Sequence, residues 1–274
     1  MPQFSANLSL LFAELPFLDR FEAAAQAGFQ AVEFQFPYDF AVTDIKARLD
    51  DTGLALVLHN LPAGDWAAGE RGVACHPDRV AEFQNGVLKA LEVAAVLGTP
   101  QLNVLAGLQP VGVAEADARR TLVANLRYAA SLLGDHGVRL LMESINTRDM
   151  PGFFVHHTEQ ALAIMDEVGS ANLLLQYDLY HAQRMEGELG ATLAAHLSRI
   201  GHIQLADNPG RHEPGTGEIN FHYLFHRLDE LGYRGHVGCE YRPKDAGPGG
   251  TLAGLGWVAA HGQRLSPDAP AAHP

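Results

Sequence analysis

Short apolar runs rich in strand-forming residues alternate along this chain with longer segments in which apolar residues recur every three or four positions. The short runs predict β-strands, and the longer pattern is typical of amphipathic helices. We predict eight strands, at residues 4–9, 31–35, 55–60, 102–105, 139–143, 173–178, 200–205 and 236–240. Each strand returns after an interval that suits one βα unit, so the pattern predicts a parallel α/β fold.

The helical segments end in a repeated way. Helical patterns cover, among other segments, residues 15–27, 79–97, 114–136 and 158–168. A glycine follows several of them just before the next strand, which suits a left-handed C-terminal cap: Gly28, Gly98, Gly137 and Gly232. Eight such units without a break in composition predict a single (β/α)8 TIM barrel over residues 1–257. A doubly wound open sheet is the alternative.

Two segments stand apart from this repeat. Residues 61–77 form the longest insertion, after the third strand, and we expect them to cover the mouth of the barrel as a lid. Residues 258–274 are rich in Ala, Pro, His and Gly and lack apolar periodicity, so we expect a flexible C-terminal tail.

Composition and charge narrow the classes of function. Asp and Glu number 32 against 19 Lys and Arg, a formal charge of -13, which argues against binding nucleic acid through many phosphates. The two cysteines, Cys75 and Cys239, are too few and too far apart for a disulfide scaffold, and they fit a reducing cytoplasm. The start of the chain lacks a secretory pattern, and no apolar run is long enough to cross a membrane.

Polar side chains end or nearly end the last four predicted strands. These residues are Glu143, Asp178, Gln204 and Glu240. The carboxyl ends of barrel strands form the face where active sites lie, and three carboxylates gathered there would repel one another without a cation. Oxygen ligands suit Mg²⁺ or Mn²⁺. Taken singly, each carboxylate could equally cap a helix or pair with a surface arginine.

Three further residues could contact a substrate. His59 and Asn60 end the third strand and offer a donor and an amide, and His181 lies in what we expect to be a loop just beyond Asp178. Arg211 follows the seventh strand in a glycine-containing loop, where it could bind an anion. Simple packing in the loop would explain His181, an ordinary mobile loop would explain Arg211, and the isolated pair at the end of the third strand is a weak signal by itself. No Gly-x-Ser-x-Gly elbow supports a nucleophilic serine.

Long stretches of the chain resemble the hydroxypyruvate isomerase family, among the xylose-isomerase-like barrels that also include ketose 3-epimerases and endonuclease IV. The similarity extends almost to Trp257. It is carried by residues 4–9 (FSANLS), 32–39 (VEFQFPYD), 58–72 (LHNLPAGDWAAGERG), 177–181 (YDLYH), 183–188 (QRMEGE) and 206–220, from ADNPGR to GEIN.

The resemblance implies a role for each strand-end residue. It makes Glu143 and Glu240 the catalytic acid/base pair, and it places Glu143, Asp178, Gln204 and Glu240 around a divalent metal, Mg²⁺ or Mn²⁺. The epimerases usually carry a histidine where this chain has Gln204. This difference favours the isomerase subgroup and a looser or water-assisted contact at that position.

We therefore expect interconversion of hydroxypyruvate and 2-hydroxy-3-oxopropanoate (tartronate semialdehyde) through an enediolate. An enediolate requires a base, a proton donor and positive charge beside the developing oxyanion. The substrate would be a small hydroxy-carbonyl acid, with His59, His181 and Arg211 binding it. Three alternatives remain: 2-oxo-tetronate isomerisation, a metal-dependent phosphodiesterase, and a non-catalytic sugar-acid binding protein. The oligomeric state stays open, although the exteriors of such barrels often pair.

Overall fold

A closed parallel barrel forms the centre of the protein. The computed structural model describes residues 2–265 of the chain. Within them, each strand pairs with the next along the chain, and the eighth pairs with the first. The strands are β1 (Gln3–Asn7), β2 (Ala31–Glu33), β3 (Ala55–Asn60), β4 (Gln101–Val104), β5 (Arg139–Glu143), β6 (Leu173–Asp178), β7 (Ile200–Leu205) and β8 (His236–Cys239). The closed order confirms the TIM barrel and excludes the open sheet.

Helices surround the barrel and complete the βα units. In chain order the α-helices of residues 2–265 are α1 (Arg20–Gln26), α2 (Val42–Thr52), α3 (Val80–Leu97), α4 (Glu115–Asp135), α5 (Thr158–Val168), α6 (Leu179–Met185), α7 (Leu189–His196), α8 (Phe221–Glu230), α9 (Gly250–Gly254) and α10 (Trp257–Ala260). The four glycines expected to follow helices all have positive φ, as a left-handed cap requires. Among the described residues, no helix is both long and apolar enough to cross a membrane.

Four of the eight predicted strands have the expected bounds, the other four differ by one to three residues in all, and two further segments differ from the prediction. Helix α6 begins at Leu179, directly after β6, because the Asp178 carboxylate accepts the backbone N–H groups of Tyr180 and His181. The prediction that His181 lies in a loop is therefore wrong. The side chain stands in the first turn of a helix whose start is fixed by the strand-end carboxylate.

The end of the described chain packs on the barrel. The ring centroid of Trp257 lies 5.2 Å from that of Phe4, and Val258 in α10 is buried. Residues 258–265 of the predicted tail therefore include helix and buried surface, whereas its remainder, residues 266–274, lies outside the described residues.

Candidate active site

The strand-end residues meet at one narrow cavity at the C-terminal end of the barrel, with Asp178 just behind its lining. Glu143 ends β5, Asp178 ends β6, and Glu240 directly follows β8; all three are buried. Parallel pairing sets their neighbours, since Glu143 lies opposite Gln176 and Asp178 lies opposite Gln204. Glu143, Gln204 and Glu240 line the cavity together with His181 and Arg211, among others.

Two buried carboxylate oxygens at this site have no hydrogen-bond partner. They are Oε1 of Glu143 and Oδ2 of Asp178, and each lies 3.7 Å from Nε2 of His181. Glu143, Asp178 and His181 each offer a potential ligand atom within 4.8 Å of the others. Buried oxygens without donors fit a bound cation, because a desolvated carboxylate needs a compensating partner. The residues present therefore suit a hard divalent ion.

Burial shifts the pKa of each carboxyl group upward. The pKa of Glu143 is raised well above its usual value, first by desolvation and then by the charges of Glu240 and Asp178. Desolvation likewise raises the pKa of Glu240 to about 7, although Arg211 opposes the shift. The pKa of Asp178 is raised mainly by desolvation as well. One guanidinium does not offset three buried carboxylates, so the site favours bound protons or a bound cation.

Arg211 supplies the positive charge that faces this cluster. Its Nη2 atom lies 3.1 Å from Oε2 of Glu240 and 3.8 Å from Oδ2 of Asp178. Nε2 of Gln35 donates to the other oxygen of Glu240, at 2.7 Å. The Glu240 carboxylate is thus held from two sides. Arg211 remains near both acidic groups, where it could also meet a substrate anion.

A single buried carboxylate organises the loop that carries Arg211. The backbone of Arg211 has φ 54°, and its N–H donates to the backbone oxygen of Asp207 at 2.8 Å. The Asp207 carboxylate accepts four backbone N–H groups at 2.8–3.0 Å, from Asn208, Gly215, Gly217 and Ile219. The loop is therefore folded onto Asp207, and Arg211 is preorganised.

The sequence comparisons agree with this geometry. The family model described as a xylose isomerase-like TIM barrel matches residues 21–261, which is most of the chain. The chain belongs to this family. The hydroxypyruvate isomerase of Escherichia coli is 53% identical over 258 residues, covering 94% of this chain and 98% of the relative. The 2-oxo-tetronate isomerase of Cupriavidus necator is 50% identical, with the same coverage. The protein is accordingly an isomerase of the hydroxypyruvate isomerase family.

A solved structure extends the likeness to the whole fold. The crystal structure of "AP endonuclease, family 2" from Brucella melitensis has a TM-score of 0.91 and 45% sequence identity, and the match covers 95% of this chain and 99% of that one. The overall fold of this chain is thus present in a solved structure.

Not every predicted site residue of this xylose isomerase-like barrel reaches the cavity. Glu143, Asp178, Glu240, His181 and Arg211 come together. The structure does not bring His59 there: Leu58 and Asn60 line the cavity, and strand alternation turns the side chain between them away. Nδ1 of His59 lies 3.2 Å from Oγ1 of Thr99, and burial lowers the pKa of His59 to about 3.

Gln204 reaches the cavity, but its amide is already engaged. The oxygen accepts from Nε2 of Gln176 at 2.6 Å, and the nitrogen donates to Oε1 of Glu33 at 2.8 Å. Nε2 of Gln176 also lies 3.1 Å from Oε2 of Glu143. A chain of amides thus connects Glu143 to Glu33, a residue to which sequence reasoning gave no role.

Glu33 is the centre of a second polar cluster below the cavity. Its carboxylate accepts from Ser5 Oγ and His202 Nε2, both at 2.8 Å, and from Nδ2 of Asn7 at 3.1 Å. Burial alone would raise the pKa of Glu33, but His202, Gln204 and Ser5 together lower it. A signal was present in the sequence, since polar residues two positions before a strand-end ligand point into the same barrel interior. Gln176 and His202 occupy such positions.

Proposed function

We propose that this isomerase interconverts hydroxypyruvate and 2-hydroxy-3-oxopropanoate, with Glu143 and Glu240 as its acid/base pair. The observation that carries the proposal is the enclosed set of carboxylates with raised pKa values beside one guanidinium. The relatives named hydroxypyruvate isomerase and 2-oxo-tetronate isomerase support the choice of a small hydroxy-carbonyl acid.

The reaction moves one proton between neighbouring carbons. One of the two glutamates removes a proton from C3 of hydroxypyruvate, and the electron pair forms the enediolate double bond. The C3 hydroxyl proton passes to the C2 oxygen, the other glutamate delivers a proton to C2, and the C3 oxygen becomes the aldehyde. Burial raises the pKa of Glu240 to about 7 when no cation is bound, and a cation in contact with the carboxylate would lower it.

The remaining side chains bind and orient the substrate. Glu143, Asp178 and Glu240 would hold a Mg²⁺ or Mn²⁺ ion, and the ion would polarise the substrate carbonyl as a Lewis acid. The amide oxygen of Gln204, the fourth predicted ligand, already accepts a hydrogen bond from Gln176, so we expect its contact with the ion to be water-assisted. Arg211 is placed to pair with the substrate carboxylate, and His181 to meet a substrate oxygen. Trp66, from the predicted lid, lines the same cavity and would limit access of water.

The direct test is turnover of hydroxypyruvate by the purified chain with Mg²⁺, followed by coupled reduction of the aldehyde. Glu143→Gln and Glu240→Gln should each lose most activity, on the order of 10²-fold or more in kcat, because each removes one proton carrier. The matched control is Glu92→Gln, an exposed glutamate on the outer helix α3, which should turn over normally. Near-normal kcat in either active-site variant would contradict the assignment.

Isomerisation of a 2-oxo-tetronate is the second candidate. The Cupriavidus necator relative is nearly as similar as the Escherichia coli one, at 50% against 53% identity. The two reactions need the same proton transfer and differ in the length of the substrate. Comparing kcat/KM for hydroxypyruvate and for four-carbon 2-oxo-tetronates separates them. A higher value for the four-carbon acids would replace the first proposal with the second.

A further inference from the structure

The His181 ring is placed between an amide and two carboxylates. It is buried in the first turn of α6. Nδ1 lies 2.6 Å from the side-chain nitrogen of Asn146, while Nε2 faces the unpartnered oxygens of Glu143 and Asp178 at 3.7 Å each. Which nitrogen carries the proton decides whether His181 can bind a metal or can only donate a hydrogen bond.

The orientation of the Asn146 amide is fixed by its own surroundings. Its oxygen accepts the backbone N–H groups of Arg148, at 3.1 Å, and Asp149, at 2.8 Å. Its nitrogen lies 3.1 Å from a carboxylate oxygen of Asp149. A flipped amide would point its nitrogen at two backbone donors and its oxygen at a carboxylate. The amide therefore presents N–H to His181.

The Asp149 carboxylate is itself fixed as a hydrogen-bond acceptor by its neighbours. Tyr180 donates its hydroxyl proton to the same carboxylate oxygen at 2.7 Å, and Arg184 lies 3.5 Å from the other oxygen. Burial would raise the pKa of Asp149, but the hydrogen bonds from Tyr180 and Asn146, together with the nearby arginine charges, outweigh it and lower the pKa. The carboxylate thus adds to the two backbone donors, which already hold the Asn146 amide in one orientation.

A neutral imidazole that accepts a hydrogen bond at Nδ1 carries its proton on Nε2. We propose that Asn146 is a positioning residue that fixes His181 as the Nε2–H tautomer, so that His181 donates a hydrogen bond to a substrate oxygen instead of ligating the cation. Nε2 of His181 lies 3.7 Å from each of the two carboxylates, which is too long for a direct hydrogen bond. A substrate oxygen beside the cation that Glu143 and Asp178 would hold can accept this N–H.

The inference deepens the proposed function and rests on it for the substrate, but the tautomer can be measured without turnover. Long-range ¹H–¹⁵N NMR of the ¹⁵N-histidine-labelled full chain distinguishes the two neutral tautomers, and His181→Gln identifies the signals. We expect His181 to be Nε2–H, and we expect titration with Mg²⁺ alone to leave Nε2 protonated. An Nδ1–H tautomer, or loss of the Nε2 proton on adding Mg²⁺, would overturn the proposal.

An exchange of two side chains tests the cause. Asn146→Asp combined with Asp149→Asn keeps the net charge and keeps an oxygen for the two backbone donors, but it presents a carboxylate to Nδ1. We expect His181 to change to Nδ1–H and kcat to fall on the order of 10²-fold, as for loss of a donor to an oxyanion. Asp149→Asn alone retains the amide at position 146 and should retain the Nε2–H tautomer.

The outcomes separate the two proposals. If the exchange leaves the tautomer unchanged, Asn146 does not set it and the inference fails, whatever the activity. If the tautomer changes and turnover of substrate does not, His181 is no donor in the reaction and the inference fails as well. If the wild-type tautomer and the exchange behave as expected but hydroxypyruvate and 2-oxo-tetronates are not turned over, the proposed function fails while the assignment of Asn146 stands.

Discussion

Replacing Glu33 by Gln should be among the most destabilising single changes in the barrel interior. The carboxylate is fully buried, and donors contact both of its oxygens: Ser5 and His202 on one, Asn7 and Gln204 on the other. Glutamine has the same shape but turns one oxygen into an NH₂ group. In either orientation of the glutamine, its NH₂ group faces two hydrogen-bond donors, and those two donors no longer have an acceptor.

The magnitude follows from the burial and from the charge of this group. Removing one partner of a buried, hydrogen-bonded charged network costs about 3–5 kcal/mol. With a shift of about 2–4 °C in Tm for each kcal/mol in a chain of this size, the expected loss is about 6–20 °C. Gly238 leaves no room for the side chain to relax towards β8, since a Cβ there would lie 2.4 Å from both oxygens of Glu33.

Urea unfolding and thermal melts of the chelator-treated protein measure the effect. Ser5→Ala is the matched control, because it removes one neutral donor from the same carboxylate and should cost about 1 kcal/mol. The reasoning would be refuted if Glu33→Gln lost no more stability than Ser5→Ala. That result would mean that the carboxylate is not charged in the folded state.

Two further predictions concern the cavity itself. In chelator, the free energy of unfolding should fall by about 3 kcal/mol between pH 5 and pH 8, because the pKa of Glu240 is raised to about 7 in the folded chain and its stabilising proton is lost as pH rises through that value. Urea titrations should show this slope flattened by Mg²⁺ and by Glu240→Gln; stability that rises over the range in chelator would contradict it. Trp66→Ala should raise KM for three-carbon acids and increase the ratio of kcat/KM for four-carbon over three-carbon substrates, because Trp66 lines a cavity of only about 30 Å³. An unchanged ratio in steady-state assays would show that the lid does not select for substrate length.

Local patterns were sufficient for the barrel but not for all of its helices. Strands β3, β5, β6 and β7 have the predicted bounds, because each is an apolar run between clear boundaries. Helix α2 was not among the segments singled out, since its sequence is mostly polar. Helix α6 was missed because the same aspartate that ends β6 also caps the helix, leaving no loop between them.

The sequence predicted those site residues that lie at the end of a strand. It did not predict contacts between residues that are far apart in the chain. The strand-end rule located Glu143, Asp178 and Glu240. The contacts of Glu33 join residues 169 and 171 positions apart, so no local pattern shows them. His59 illustrates a different limit: a shift of one residue along a strand reverses the direction of a side chain, and Asn60 has the inward position.

The loop folded around Asp207 restricts how this barrel can be re-engineered. TIM barrels acquire new specificities mainly by changing the loops that follow their strands. Here an insertion or deletion between Asp207 and Ile219 would leave the carboxylate with donors missing and would release Arg211. Grafting experiments should therefore transfer this segment whole, with its aspartate, and direct sequence variation to the lid over residues 61–77.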